Sequence, residues 1–325
     1  MSAPLRVGVI GIGALGHHHV RHLAAMYSVE LVGVHDTDTP RAAAAAAEFG
    51  CRAFATCDEL LDHVDAVTVA VPTPFHHVVG RQCLDRGIAV LMEKPLAVTL
   101  PEADDLVATA ARQGVVLAVG HIERFNRAVR AARSVLHRPA FIEGIRLAPF
   151  QPRGTDVAVV LDLMIHDLDL AIHLVGGAPA TEVRASGVSI VSSHLDIVNA
   201  RVEFGGGTVA SMTSSRVARE RVRRLRVFQP TGYISLDLAT GEASFMRLRE
   251  GWRPGSGASL EEIVEVVALK APEADALGLE LAAFVAAVRG DPGEIISAAE
   301  GRAALALALD VTDAVQRSPV PALGR

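Results

Sequence analysis

The sequence predicts an α/β chain: a doubly wound parallel sheet in the N-terminal part, then an α+β domain on an open, largely antiparallel sheet. Three observations carry this. Up to about Gly120, short and almost continuous apolar runs alternate with helical patterns, as parallel strands covered on both faces require. The first run leads into the glycine-rich turn Gly11-Ile12-Gly13-Ala14-Leu15-Gly16. Beyond Gly120 the runs of strand character follow one another directly, with Gly205-Gly206-Gly207 as a turn between two of them.

Taken in order, Leu5–Ile10, Glu30–Val34, Ala66–Val71, Ala89–Met92 and Val115–Val119 read as the parallel strands. Pro40–Phe49, an alanine run with helical flanks, and Pro101–Gln113 read as crossover helices. Helical patterns follow at Arg124–Leu136 and Val157–Val175. The second sheet is expected from Ala180–Ile190, Ile197–Phe204, Thr208–Ser214, Arg223–Phe228 and Tyr233–Leu238. Glu273–Arg289 and Ser297–Gln316 close the fold as helices, and a frayed tail begins at Ser318. With 325 residues, half of them apolar, the chain suffices for two domains, placed at residues 1–121 and 122–325.

A net charge of −6 and a pI near 6.1 argue against a nucleic-acid or anionic-membrane binder and for a small-molecule partner. Cys51, Cys57 and Cys83 are odd in number and form no CxxC pair, so neither a disulfide framework nor a zinc site is expected. The chain enters a strand pattern within its first residues and has no apolar run near the roughly 20 residues of a membrane span. A cytoplasmic protein without membrane insertion is the expectation.

Gly11, Gly13 and Gly16 follow a strand and open a helix, where missing side chains permit a tight turn and close approach of a pyrophosphate to backbone N–H groups. Asp36 ends the next strand, where a carboxylate accepts from the adenosine ribose hydroxyls and repels a 2′-phosphate. NAD is therefore favoured over NADP, with Ile12, Ala14 and Leu15 supplying the loop; Arg41 is read as an exposed helix arginine. His17, His18 and His19 occupy consecutive helix positions, spaced by about 100°, and cannot converge on one ion, so no metal is assigned. Thr73-Pro74-Phe75-His76 follows the Ala66–Val71 run on the side where ligands of such sheets gather. His76 is either a cofactor-edge residue or a cap on the next helix.

The Gly11 loop, Asp36, Thr73-Pro74-Phe75-His76, the tripeptide Glu93-Lys94-Pro95 and the later Asp162-x-x-x-His166 pair occur in the order of the Gfo/Idh/MocA oxidoreductase family, which the chain resembles over nearly its whole length. The resemblance implies an N-terminal Rossmann domain and a C-terminal domain whose open sheet mediates assembly into a homodimer or homotetramer. It also implies reversible oxidation of a sugar or cyclitol hydroxyl. Lys94 matches a lysine beside the nicotinamide, followed by a proline that is commonly cis, so Glu93, Lys94 and Pro95 join the cofactor site. His166 matches the family's proton-transferring histidine and Asp162 its substrate-binding or histidine-supporting acid. Helical spacing agrees, since residues four apart share a face, and Asp169 remains on the same side to orient the imidazole or support the domain interface. Val159, Val160 and Met164 stand where many members carry glycine and are expected to narrow the site.

The run from Gly120 to Asn126, with Arg153–Val157 and Leu161–Asp169, resembles a branch of that family that oxidises the 3-hydroxyl of UDP-N-acetylglucosamine, giving a keto sugar for a following aminotransferase in lipid A-type synthesis. Arg124, Asn126 and Arg153 offer donors for a diphosphate or acetamido group, or, for the first two, an interdomain hydrogen-bond network. The arginines at 216, 219, 221, 223, 224 and 226 are a further candidate contact for the diphosphate, but read most simply as alternating charges on an exposed strand or turn. In the expected reaction His166 takes the hydroxyl proton, Lys94 stabilises the oxygen and Asp162 positions the substrate or imidazole. A myo-inositol or other polyol dehydrogenase, an NAD-dependent glycosidase and a non-catalytic dinucleotide-responsive protein are the competing readings.

Overall fold

The computed structural model describes residues 3–151, 157–252, 258–291 and 293–317. Two compact units account for the chain, residues 1–122 with 274–305, and residues 123–273 with 306–325. The first boundary falls beside the expected cut at 121/122. The return of residues 274–305 to the first unit is not part of that expectation.

In the first unit, β1 (Leu5–Ile10), α1 (Ala14–Ala24), β2 (Val29–His35), α2 (Thr39–Phe49), β3 (Arg52–Ala53) and α3 (Cys57–Leu61) precede β4 (Ala66–Val69) and α4 (His76–Leu84). β5 (Ala89–Glu93), α5 (Leu100–Gln113) and β6 (Leu117–Gly120) complete a six-stranded parallel sheet of order β3-β2-β1-β4-β5-β6. β4, β5 and β6 are buried throughout, which explains their unbroken apolar runs. Strand order reverses between β1 and β4, and the crevice beyond their carboxyl ends is where such sheets take ligands. β3 has only two residues, both exposed, and carries no apolar pattern to read.

The second unit opens with a 3₁₀ turn at Ile122–Phe125, shared across the boundary, and α6 (Arg127–Ala132). The single helix expected at Arg124–Leu136 is thus broken at Asn126, whose side chain accepts from Ala128 N as an N-cap. β7 (Phe141–Leu147) precedes a π-helical turn at Val160–Met164 and α7 (Ile165–Leu174), two elements where one α-helix is expected. Then come β8 (Ala180–Val188), β9 (Ile197–Phe204), β10 (Val209–Ser215), β11 (Val222–Gln229), β12 (Gly232–Asp237), β13 (Glu242–Leu248), α8 (Leu260–Ile263) and β14 (Val264–Leu269). The eight-stranded sheet has the order β14-β13-β12-β11-β7-β10-β9-β8 and is antiparallel except where β7 meets β10. β7, β13 and β14 are additions to the expected strands.

Side chains alternate across this sheet, as along β7, where Ile142, Gly144 and Arg146 are buried and their neighbours half-exposed. α7 lies against β7 and β10, and α6 against β12 and β13. α9 (Ala276–Val288) belongs to the first unit: Leu277, Leu281 and Phe284 share a core with Val7, Val9 and Val20. Val119 N also donates to Ile296 O at 2.9 Å. α10 (Ala298–Arg317) is divided between the units, and the expected tail from Ser318 lies outside the described residues.

Candidate active site

The glycine turn gives each glycine a different task. Gly11 has φ +87°, and a Cβ there would stand 2.8 Å from the Ala70–Val71 backbone, so this residue lets the loop after β1 close onto the segment after β4. A Cβ on Gly16 would run into the carbonyl oxygen of Gly11. Around Gly13, by contrast, nothing lies within 4 Å of that position. Packing therefore explains two of the glycines, and the third faces open space. α1 begins at the next residue with no capping side chain and no acidic residue in its first turn, leaving its N-terminal amides and dipole to an anion. These features fit a dinucleotide pyrophosphate.

Asp36 is buried and accepts from Ile12 N at 2.6 Å and from Asp38 N at 2.8 Å. It holds the turn as well as marking where β2 ends. A carboxylate oxygen carries more than one lone pair, so capacity for ribose hydroxyls is retained. Arg41 is exposed on α2, as expected, and its side chain also lies 3.5 Å from Asp36 and 2.8 Å from Asp38.

The three successive histidines of α1 do not act together. His17 faces Glu48 at 3.0 Å, and His19, fully buried, faces Glu93 at 3.1 Å. Glu93 in turn accepts from Lys94 N at 3.3 Å. Burial pushes the Glu93 carboxyl up, but the His19 hydrogen bond and the neighbouring His19 and Lys94 charges bring it below the usual carboxylate value. The Lys94–Pro95 peptide is cis. His76 is also buried, with Nδ1 2.8 Å from Pro95 O and Nε2 3.0 Å from Val71 O. Burial lowers its proton affinity, and the neutral ring it favours donates to one of the two carbonyls. His76 is thus neither an exposed cofactor edge nor a helix cap; it holds the backbone beside Lys94. The residues on both sides of Lys94 are braced by histidines from α1 and α4, and Lys94 itself is half-buried. Thr73, Pro74 and Phe75 form a 3₁₀ turn between β4 and α4.

In the second unit, Asp162 lies in the π turn and His166 in the first turn of α7, both partly exposed. The i, i+4 face argument therefore does not transfer unchanged, because hydrogen bonds in a π turn span five residues. Val159, Val160 and Met164 are fully buried in the core of this unit, which removes the expected narrowing by these side chains. Asp169 is buried in a two-point pair with Arg124, at 2.8 and 2.7 Å, so it anchors α7 instead of orienting the imidazole. Arg124 Nη1 meets His173 at 3.0 Å. The amide of Asn126 donates to Glu123 and to Leu238 O, each at 2.9 Å. The two residues expected to contact substrate are thus committed to the fold of this unit. Arg153 lies outside the described residues.

A second buried pair was not legible in the sequence. Arg146 of β7 grips Asp167, next to His166, at 2.9 and 2.8 Å and donates to Glu123 at 2.9 Å. Burial lowers the proton affinity of Arg146, but Asp167 and Glu123 outweigh it and hold the guanidinium above its usual range; for the Asp167 carboxyl, burial wins and the shift is upward. These directions conflict, and two short bonds in fork geometry favour the charged pair.

Residues 5–121 match the oxidoreductase family with an NAD-binding Rossmann fold, and residues 129–235 match the GFO/IDH/MocA C-terminal domain. The chain belongs to the Gfo/Idh/MocA oxidoreductase family. Among relatives of this Gfo/Idh/MocA protein, UDP-N-acetylglucosamine 3-dehydrogenase from Acidithiobacillus ferrooxidans is 39% identical over 96% of this chain and 97% of its own. An inositol 2-dehydrogenase from Leifsonia xyli is 34% identical over 54% of this chain and 55% of its own. A solved structure of the Acidithiobacillus ferrooxidans enzyme superposes with a TM-score of 0.90 at 38% identity, covering 97% of this chain and 99% of that one. The protein is an oxidoreductase with a dinucleotide-binding unit, and no helix among its described residues is long and apolar enough to cross a membrane.

Proposed function

We propose that this protein oxidises the 3-hydroxyl of UDP-N-acetylglucosamine with NAD, giving the 3-keto sugar. The similarity to an enzyme of that name over almost the whole length of both chains carries the substrate assignment, where the inositol dehydrogenase matches only about half. Asp36 supports NAD over NADP, because its carboxylate repels a 2′-phosphate.

NAD, when bound, accepts the hydride. Gly13 and the amides at the start of α1 would hold its pyrophosphate. His166 takes the proton of the sugar hydroxyl while the carbon loses its hydride, and Lys94 donates to the oxygen as it becomes a carbonyl. Asp162 positions the substrate or the imidazole. Glu93, Pro95 and His76 act on Lys94 through the backbone rather than on the reactants.

NADH formation across UDP-sugars and free polyols, with mass analysis for a product two mass units lighter, tests the reading. Turnover of polyols without turnover of UDP-N-acetylglucosamine would overturn it. His166→Ala is expected to bind NAD as before and to turn over at least about 100-fold more slowly. Because Lys94 and His166 are assigned to one hydroxyl, the combined Lys94→Ala, His166→Ala variant should lose much less than the sum of the single losses.

A homodimer or homotetramer through the half-exposed face of the second sheet is part of the proposal. Phe141, Phe228 and Tyr233 form a row there, with ring centroids 6.0 and 5.2 Å apart. Light scattering of the purified chain distinguishes these from a monomer. A cytoplasmic location fits the three free cysteines.

A further inference from the structure

Arg223 has an unusual address for an arginine. In the pairing of β11 with β7 it stands directly opposite Arg146, and like charges in that relation repel. Its strand neighbours Arg224 and Arg226 point to the other side of the sheet, where Arg226 pairs with Glu143. Arg223 instead shares the side of Leu225 and Val227, the side that α7 covers, and its side chain is 38% exposed. Arg219, Arg221 and Arg224 are exposed, as expected of this run, whereas Arg216 is buried and Arg223 and Arg226 are partly buried, Arg223 on the side that α7 covers.

The carboxylates near Arg223 are already engaged. Both oxygens of Asp167 receive Arg146, and those of Glu123 receive Arg146 and Asn126. Arg223 reaches Glu123 only at 3.8 Å. Burial, then the charges of Arg146 and Arg221, lower its proton affinity, so its charge is held at a cost to the fold. Its cross-strand neighbour Arg146 holds Asp167, one residue from His166.

We propose that Arg223, in the combined field of Arg146 and Arg221, binds the diphosphate of a nucleoside-diphosphate sugar. A guanidinium with part of its surface open and, among the described residues, no carboxylate nearer than Glu123 at 3.8 Å presents the planar fork that matches phosphate oxygens. An incoming diphosphate offsets the repulsion between Arg223 and Arg146, so the stabilisation appears when substrate binds. This rests on the UDP-sugar reading above and adds the residue that selects for the anion.

The test is calorimetric titration of UDP into the full-length protein saturated with NADH, so that the dinucleotide site is occupied. Arg223→Ala is expected to weaken UDP binding about tenfold or more. Arg223→Lys, which keeps the charge and loses the fork, should fall between, and Arg224→Ala on the opposite side should bind as the native protein does. The melting temperature of Arg223→Ala should equal or exceed the native value, because a like-charge neighbour of Arg146 is removed. UDP binding by Arg223→Ala within twofold of native overturns the proposal alone. A melting temperature lowered by several degrees in both Arg223 variants overturns it too, since it marks a structural arginine. A native protein that binds no UDP overturns the substrate reading, and this proposal with it.

Discussion

His19 Nε2 lies 3.1 Å from Glu93 Oε1 in the interior of the nucleotide-binding unit, joining the helix after the glycine turn to the residue before Lys94. The contact links two parts of the site that are 74 residues apart in the chain. Removing His19 leaves a buried carboxylate without its main partner, and breaking such a pair costs about 3 kcal/mol or more. His19→Ala should lower the urea midpoint accordingly, while His19→Gln, which can still donate to Glu93, should recover most of the loss.

The same pair sets a pH dependence. The Glu93 carboxyl is depressed in the fold relative to its ordinary value of 4.5, so its stabilisation is fully present above that pH and is lost as pH falls through the lower folded value. Glu93→Gln should therefore flatten the acid limb of the stability curve below about pH 4.5. An unchanged acid limb would count against the assignment.

Gly13 and Gly16 should separate binding from folding. Gly16→Ala forces a methyl group against the carbonyl of Gly11 and should destabilise the unit, seen as a lower melting temperature. Gly13→Ala meets nothing within 4 Å and should fold normally, yet weaken NAD about tenfold or more by blocking the approach of the pyrophosphate. Equal NAD affinity for native protein and Gly13→Ala would show that this face takes no cofactor.

Asp36 carries two loads, so its replacement has two effects. Asp36→Asn removes the charge and keeps one acceptor oxygen, so only one of the bonds from Ile12 N and Asp38 N survives. It should shift the NAD to NADP ratio of kcat/KM toward NADP by about tenfold, because the repulsion of the added phosphate by Asp36 is removed. Asp36→Ala should lose NAD activity and stability together.

Arg146 and Asp167 anchor α7 beside His166, and both are almost fully buried. Asp167→Asn should destabilise the protein by about 3 kcal/mol, because the buried Arg146 guanidinium then keeps, among the described residues, only Glu123 as a charged partner. If the pair also fixes His166, kcat at saturating substrate should drop more than NAD affinity does. Steady-state kinetics and a cofactor titration on one preparation check this.

Much of the first unit is legible in the amino-acid order because its strands are short, apolar and buried on both faces. The glycine turn, Asp36 and Glu93-Lys94-Pro95 sit at predictable strand ends for the same reason. β7 escapes such reading: its buried face is Ile142, Gly144 and Arg146, and an inward arginine breaks the apolar alternation that marks a strand. The π turn at Val160–Met164 is equally silent, since the local apolar pattern also suits an α-helix.

What the sequence determined by itself is the class of fold and the dinucleotide turn, which follow from local spacing, and Lys94, Asp162 and His166 as candidates, which follow from the order of the motifs that carry the family resemblance. Tertiary structure decided where the charged side chains go. Arg124 and Asn126, which look like substrate contacts, are committed to Asp169, Glu123 and the backbone of Leu238; His19 and His76, which look like surface or cofactor residues, brace the backbone around Lys94. The physical reason is that a buried charge or polar group must find its partner across the fold, and a partner 45 or 74 residues away leaves no trace in local periodicity.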